Sequence, residues 1–219
     1  MKKNIIIAIV CMVISTSSIT AQTFSLEIGG GYLSQRGHFE APCGCTFAQG
    51  SGFDIHFNSG IDLFSASNLS VGIGPGIEYQ RFVDVEVDKE TTHRISNGDQ
   101  QISRLLYVVL SPYLHYSLPT LNLFVLVSPS IGYLLSKKFE HIASAVSGES
   151  EGNSSYDIDI RRVRFSLLAA VGYSIEFDKY RIAPMLGFEF PLSMLRNDPS
   201  DFNWKVSSIK GSVLVTTTL

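Results

Sequence analysis

Few residues in this 219-residue chain have the types and spacing to do chemistry. His115 and Ser117 stand two apart, which puts both on one face of an extended strand. A histidine beside a serine can serve as base to a nucleophile. Such a pair needs an acidic group to orient the imidazole, and none can be assigned from the sequence. Cys43 and Cys45 flank Gly44 and can close a small disulfide ring if the chain bends there. A metal would need more ligands; His38 is near in sequence but leaves the set incomplete. Gly29-Gly30-Gly31 lacks the following Lys-Ser/Thr and helix of a phosphate loop. No cofactor motif is present. The remaining candidates are isolated charges of both signs: Glu27, Asp54, Asp62, Glu78, Glu176 and Glu189 with Arg162, Arg164, Arg181 and Lys210.

The elements that would position these groups are read from periodicity. Leu69, Val71, Ile73, Pro75, Ile77 and Tyr79 share one parity, and Ser70, Gly72, Gly74, Gly76, Glu78 and Gln80 hold the other. A strand of period two carries such a pattern on two opposite faces. The alternation recurs over Phe53–Leu63, Val163–Ile175 and Tyr180–Phe190, and more weakly over Phe24–Leu33, Ile102–Tyr116, Leu123–Leu135 and Trp204–Leu219. Eight strands result. Ile102–Tyr116 is apolar on both parities, so its facing stays open. The longest apolar run after the N-terminus, Leu105–Leu110, is far too short for a membrane helix.

Connections alternate in length. Ser34–Ser51, Asp88–Gln101, Ser136–Asp157 and Ser193–Asn203 are long; Ser65–Asn68, Ser117–Asn122 and Asp178-Lys179 are short. Outer-membrane barrels show long loops outside and short turns on the periplasmic side. The polar face is rich in Gly, Ser and Ala rather than Lys, Glu and Asp, which suits the crowded lumen of a narrow barrel. The scattered charges then form a lumen network that neutralises itself. If Asp178-Lys179 is a two-residue hairpin loop, Phe177 faces Tyr180 and Glu176 faces Arg181. Aromatic residues collect at both expected membrane boundaries: Phe64, Tyr116, Phe177 and Tyr180 below, Tyr32, Phe53, Tyr79 and Trp204 above. The expected fold is therefore all-β, an eight-stranded antiparallel up-and-down transmembrane β-barrel. A soluble lipocalin-like barrel with the apolar face inside and a hydrophobic ligand is the alternative.

The N-terminus has the order of a secretory signal peptide. Lys2 and Lys3 precede the apolar run Ile5–Ile14, then small polar residues and Ala21. Residues 1–21 are expected to be cleaved after Ala21, leaving 22–219 as the barrel domain of the cell outer membrane. The formal net charge is −3, and loss of Lys2 and Lys3 makes the exported chain more acidic. An acidic chain offers no argument for a nucleic-acid partner.

Three segments carry a family resemblance. Leu105-Leu106-Tyr107-Val108-Val109-Leu110-Ser111-Pro112-Tyr113-Leu114-His115-Tyr116 resembles the Y-L-E-I-P-L-L-L-K-Y strand of PorT-like outer membrane protein β-barrel domains. Val127-Ser128-Pro129-Ser130-Ile131-Gly132-Tyr133-Leu134-Leu135-Ser136-Lys137-Lys138 resembles that family's G-P-x-x-G-Y-L-L-S-x-K segment. Leu167–Glu176 resembles its following G-x-G-x-E strand. His115 departs from the family's usual Lys, and the chain ends in Leu219 where barrels often end in Phe. The resemblance implies a small barrel of Bacteroidetes-type bacteria and, by analogy, a secretion accessory role.

Two function classes follow. The first is a non-enzymatic scaffold, an adhesin or an envelope or secretion accessory, surrounded by outer-membrane lipid and contacting a protein partner through its extracellular loops. The second is an outer-membrane enzyme, since a His-x-Ser pair on one strand face also occurs in lipid A deacylases; His115 and Ser117 fall at the expected periplasmic end, whereas those enzymes work on the outer leaflet. A solute pore conflicts with eight strands.

Overall fold

The computed structural model describes residues 23–36, 38–40, 46–87, 99–142, 153–156, 160–194 and 205–218. Eight strands form the wall: β1 Thr23–Arg36, β2 Thr46–Ala66, β3 Leu69–Glu86, β4 Gln100–Leu118, β5 Leu123–Ile142, β6 Val163–Tyr173, β7 Tyr180–Pro191 and β8 Lys205–Thr218. Each pairs antiparallel with its neighbours in sequence, and β8 returns to pair with β1 from Thr23↔Thr218 to Arg36↔Lys205. Among the described residues the ring leaves no wall edge unpaired, as a sheet in hydrocarbon requires.

Alternation decides the faces. Along β3 Gly72, Gly74, Gly76, Glu78 and Gln80 are buried, while Val71 and Ile77 are exposed. The same holds round the ring, where Ile28 and Leu186 are about three-fifths exposed and Asp54, Glu78 and Lys210 are buried. The apolar residues therefore point outward and the polar ones inward, the arrangement of a barrel whose outer solvent is lipid. This overturns the soluble lipocalin-like alternative, which needs the opposite facing. The expected boundary aromatics Tyr32, Phe53, Phe64, Tyr116, Phe177 and Tyr180 are all exposed on this outer face. Tyr79 tilts against Phe53, with ring centroids 6.4 Å apart. Trp204 lies outside the described residues.

The strand with open facing, β4, turns its odd positions inward, burying Leu105, Tyr107 and Val109. Its neighbour β5 carries a bulge: Leu106 pairs with Ser136 but Tyr107 with Leu134, leaving Leu135 unmatched. Inward positions are even up to Leu134 and odd at Phe139 as a result.

The strands are longer than the alternation suggested at their extracellular ends. β2 begins at Thr46 rather than Phe53, β5 runs to Ile142 rather than Leu135, and two short strands, His38–Glu40 and Asn153–Tyr156, extend the sheet upward. The long connections Ser34–Ser51 and Ser136–Asp157 are shortened accordingly. Above the lipid an outward side chain meets water, so the apolar–polar contrast fades while backbone pairing continues. At the other end the turns are short, with Ser67, Asn122 and Asp178 at positive φ. The hairpin at Asp178-Lys179 pairs Tyr180 with Phe177 and Arg181 with Glu176, the register expected from its length.

Candidate functional site

The lumen has three levels: a charged centre, an apolar plug above it and a cavity below. Strand period two aims Glu78 and Gln80 of β3, Arg164 and Ser166 of β6, Glu189 of β7 and Ser208 and Lys210 of β8 into the centre. Lys210 Nζ lies 2.6 Å from a Glu189 carboxylate oxygen and 3.2 Å from one of Glu78. Arg164 pairs directly with Glu78, and its Nη2 is 3.8 Å from Glu189. Two cations thus alternate with two carboxylates, each buried. Ser166 and Ser208 donate to Glu189, and the Gln80 amide donates to Glu78 at 2.8 Å. The Arg164 guanidinium also lies over the Tyr107 ring, 4.4 Å from its centroid. The low-dielectric wall strengthens these attractions and makes any unpaired member costly.

A second cluster adjoins it from β1 and β2. His56 Nδ1 is 3.2 Å from Asp54 and its Nε2 is 3.3 Å from Glu27, while the Asn58 amide donates to Glu27 at 3.0 Å. The three glycines of β1 sit beside it because there is no room for side chains: a Cβ at Gly31 would come within 2.7 Å of the Asp54 carboxylate. They pack the wall closely, as expected once a phosphate loop is set aside.

On the extracellular side of these charges an apolar plug contains Leu33, Phe47, Phe82, Leu105, Tyr107 and Phe139. Near it Asp84 is fully buried and, among the described residues, neither carboxylate oxygen has a partner, nor does the Gln35 amide beside it. A Cβ at Gly50 would lie 1.9 Å from the Asp84 carboxylate and 2.8 Å from the Gln35 oxygen, so both groups crowd the space that glycine leaves open. On the periplasmic side a cavity of about 490 Å³ runs from Glu78, Glu189 and Lys210 to the turns at Ser67-Asn68 and Asp178-Lys179. Hydroxyl groups line much of it.

The expected network is brought together only in part. Glu78, Arg164, Glu189 and Lys210 meet in one cluster and Glu27 and Asp54 in the other. Glu176 and Arg181 pair at 3.1 Å, but at the exposed periplasmic mouth rather than in the buried lumen, because their hairpin extends past the packed centre. Arg162 does not join: it lies in a bend before β6 begins, where period two no longer applies, and is exposed. Asp62 accepts a hydrogen bond from the Tyr113 hydroxyl at 2.7 Å. His56, Asn58, Gln80, Ser166 and Ser208 complete the clusters without having been singled out. Their shared parity with the charged residues was the available signal.

His115 and Ser117 both line the cavity, and the His115 ring packs 4.7 Å from that of Phe124. No hydrogen bond joins His115 to Ser117 or to a carboxylate among the described residues. Cys43 and Cys45 lie outside those residues, as do residues 1–22, and nothing is described of the His38 side chain.

A closed antiparallel ring with lipid-facing apolar residues and a charge-filled lumen defines an integral outer-membrane β-barrel. The chain belongs to the outer membrane protein beta-barrel domain family, whose model matches residues 13–197. No curated protein matches the sequence. Among solved structures it is similar to Neisserial surface protein A, at 9% identity and TM-score 0.45 over 90% of this chain and 97% of that one. It is also similar to Ail, the attachment invasion locus protein of Yersinia pestis, at 10% identity and TM-score 0.38 over 91% and 100% of the two chains. The outer membrane protease OmpT from Escherichia coli matches at 10% identity and TM-score 0.41 over 92% and 98%.

Proposed function

We propose that this protein is a non-catalytic outer-membrane scaffold that holds its extracellular loops against a protein partner, in adhesion, envelope maintenance or secretion. The observation that carries this reading is the sealed lumen. The cavity stops at the Glu78–Arg164–Glu189–Lys210 cluster, and the apolar plug fills the space beyond it. A barrel cross-linked through its interior is a stiff frame, and strands that continue past the lipid belt carry that stiffness to the loops. The secretion role is the form suggested by the resemblance to PorT-like sequences. Removal of residues 1–21 and a Cys43–Cys45 bond in the first loop belong to the same proposal.

The test is complementation of a deletion strain, read as cell adhesion and as export of secreted proteins. Full-length protein should restore the lost property. A variant with residues 37–45 and 143–152 replaced by short Gly-Ser linkers should not, while still shifting mobility on boiling as a folded barrel does. Equal restoration by the loop-replaced barrel would sink the reading, as would stable single-channel conductance from the purified protein. The alternative, a lipid-modifying enzyme, places its work at His115 and Ser117, which face the lumen cavity and not the lipid.

A further inference from the structure

A set of cations on the outside of the wall has no role in the lumen or the loops. Arg81 on β3 is directly opposite Arg104 on β4, and Arg104 is directly opposite Lys138 on β5. All three occupy outward positions. Arg162 follows on the next side, exposed, its carbonyl accepting from the Leu134 N–H at 2.7 Å. Like charges facing each other across strands destabilise a sheet. One carboxylate relieves this row: Glu140 lies 2.7 Å from Arg104 and 2.6 Å from Lys138. Arg81 and Arg162 have no carboxylate partner among the described residues.

Their height is as informative as their charge. Arg81 stands two residues beyond Tyr79, and Arg104 two beyond Leu106, which faces Tyr79. Lys138 stands three beyond the exposed Leu135, and Arg162 immediately precedes the exposed Val163. Two residues of strand span roughly 6–7 Å. The row therefore lies just above the apolar belt on the extracellular side and crosses the headgroup layer obliquely with the strand tilt. Val83 and Ile102, next above, face each other and are half-buried.

We infer that Arg81, Arg104, Lys138 and Arg162 form a binding arc for the phosphate groups of an outer-leaflet glycolipid. The apolar belt beneath takes the acyl chains, and the arc supplies the forked guanidinium donors that suit phosphate oxygens. Glu140 holds Arg104 and Lys138 side by side and leaves the arc a net positive charge. The inference is independent of what the loops bind.

The test uses the full folded protein in detergent micelles and native mass spectrometry, with bis-phosphorylated lipid A, the same lipid dephosphorylated, and inorganic phosphate as probes. Phosphorylated lipid should be retained at least about tenfold better than the dephosphorylated form. Arg81→Ala/Arg104→Ala/Lys138→Ala/Arg162→Ala should abolish that preference, and the Arg→Lys version should keep most of it. Equal retention of both lipids, an unchanged preference in the alanine variant, or displacement of the lipid by inorganic phosphate would each overturn the inference. Should the alanine variant fail to fold, as judged by its mobility with and without boiling, Glu140→Gln decides. It frees two cations and should tighten phosphorylated lipid several-fold, whereas unchanged or weakened retention overturns the arc.

Discussion

Replacing Lys210 by Met removes one cation from a buried set of four charges. In the intact lumen Lys210 contacts Glu189 at 2.6 Å and Glu78 at 3.2 Å, and Arg164 is the other cation for both. Without Lys210, two buried carboxylates share one guanidinium that is 3.8 Å from Glu189. Ser166 and Ser208 still donate to Glu189 but carry no charge. Breaking a buried pair on one side costs about 3–5 kcal/mol, because the stranded charge has lost its partner but not its burial. Removing both partners leaves no stranded charge, so Glu189→Gln/Lys210→Met should cost less than the sum of the singles by at least about 1.5 kcal/mol. The assay is equilibrium urea unfolding of the barrel in lipid vesicles, with the gel mobility shift as a second probe of the folded state. Two outcomes would refute the reasoning: a Lys210→Met cost under about 1 kcal/mol, or simple additivity in the double variant. Either would mean that water from the adjoining cavity solvates the cluster well enough to make the pairing unimportant.

Asp84→Asn should stabilise the barrel by about 1–3 kcal/mol in the same assay, since it removes a buried ionisable carboxyl that has no partner among the described residues and keeps the shape; a loss of stability would show that the carboxylate has a role the packing does not reveal. Gly72→Val should destabilise by about 1–3 kcal/mol, because its Cβ would come 2.2 Å from the Tyr113 ring and 2.6 Å from the Ile61 carbonyl. Loss of the Tyr113–Asp62 bond in that variant can be followed by the tyrosine absorbance. His115→Ala and Ser117→Ala should each leave lipid A acyl chains unchanged in whole-cell lipid analysis; an altered chain pattern would restore the enzyme reading. N-terminal sequencing of the membrane-purified protein should begin at Gln22. Its intact mass should be lighter by two hydrogens than the reduced form if Cys43 and Cys45 are bonded.

The sequence by itself determined the number of strands, their centres, the alternation of long and short connections and, for every strand but β4, the faces. Each is a local property: period two records which side of a strand meets lipid, and a two-residue turn leaves only one register for Glu176 and Arg181. Of the charges it singled out, Glu27, Asp54, Glu78, Arg164, Glu189 and Lys210 face the lumen, whereas Glu176 and Arg181 sit at the exposed mouth and Arg162 had no strand for its parity to act through. Only the tertiary structure decided which charges meet. Glu78 and Arg164 are 86 positions apart, and they pair because the whole ring closes with a particular offset between strands, to which every hairpin and bulge contributes. The bulge at Leu135 and the upward extension of β2 and β5 were likewise invisible locally, since they obey backbone pairing rather than side-chain polarity. The outward row of Arg81, Arg104 and Lys138 exists only through register, because three cations on three strands become one surface when the neighbouring strands fix their heights.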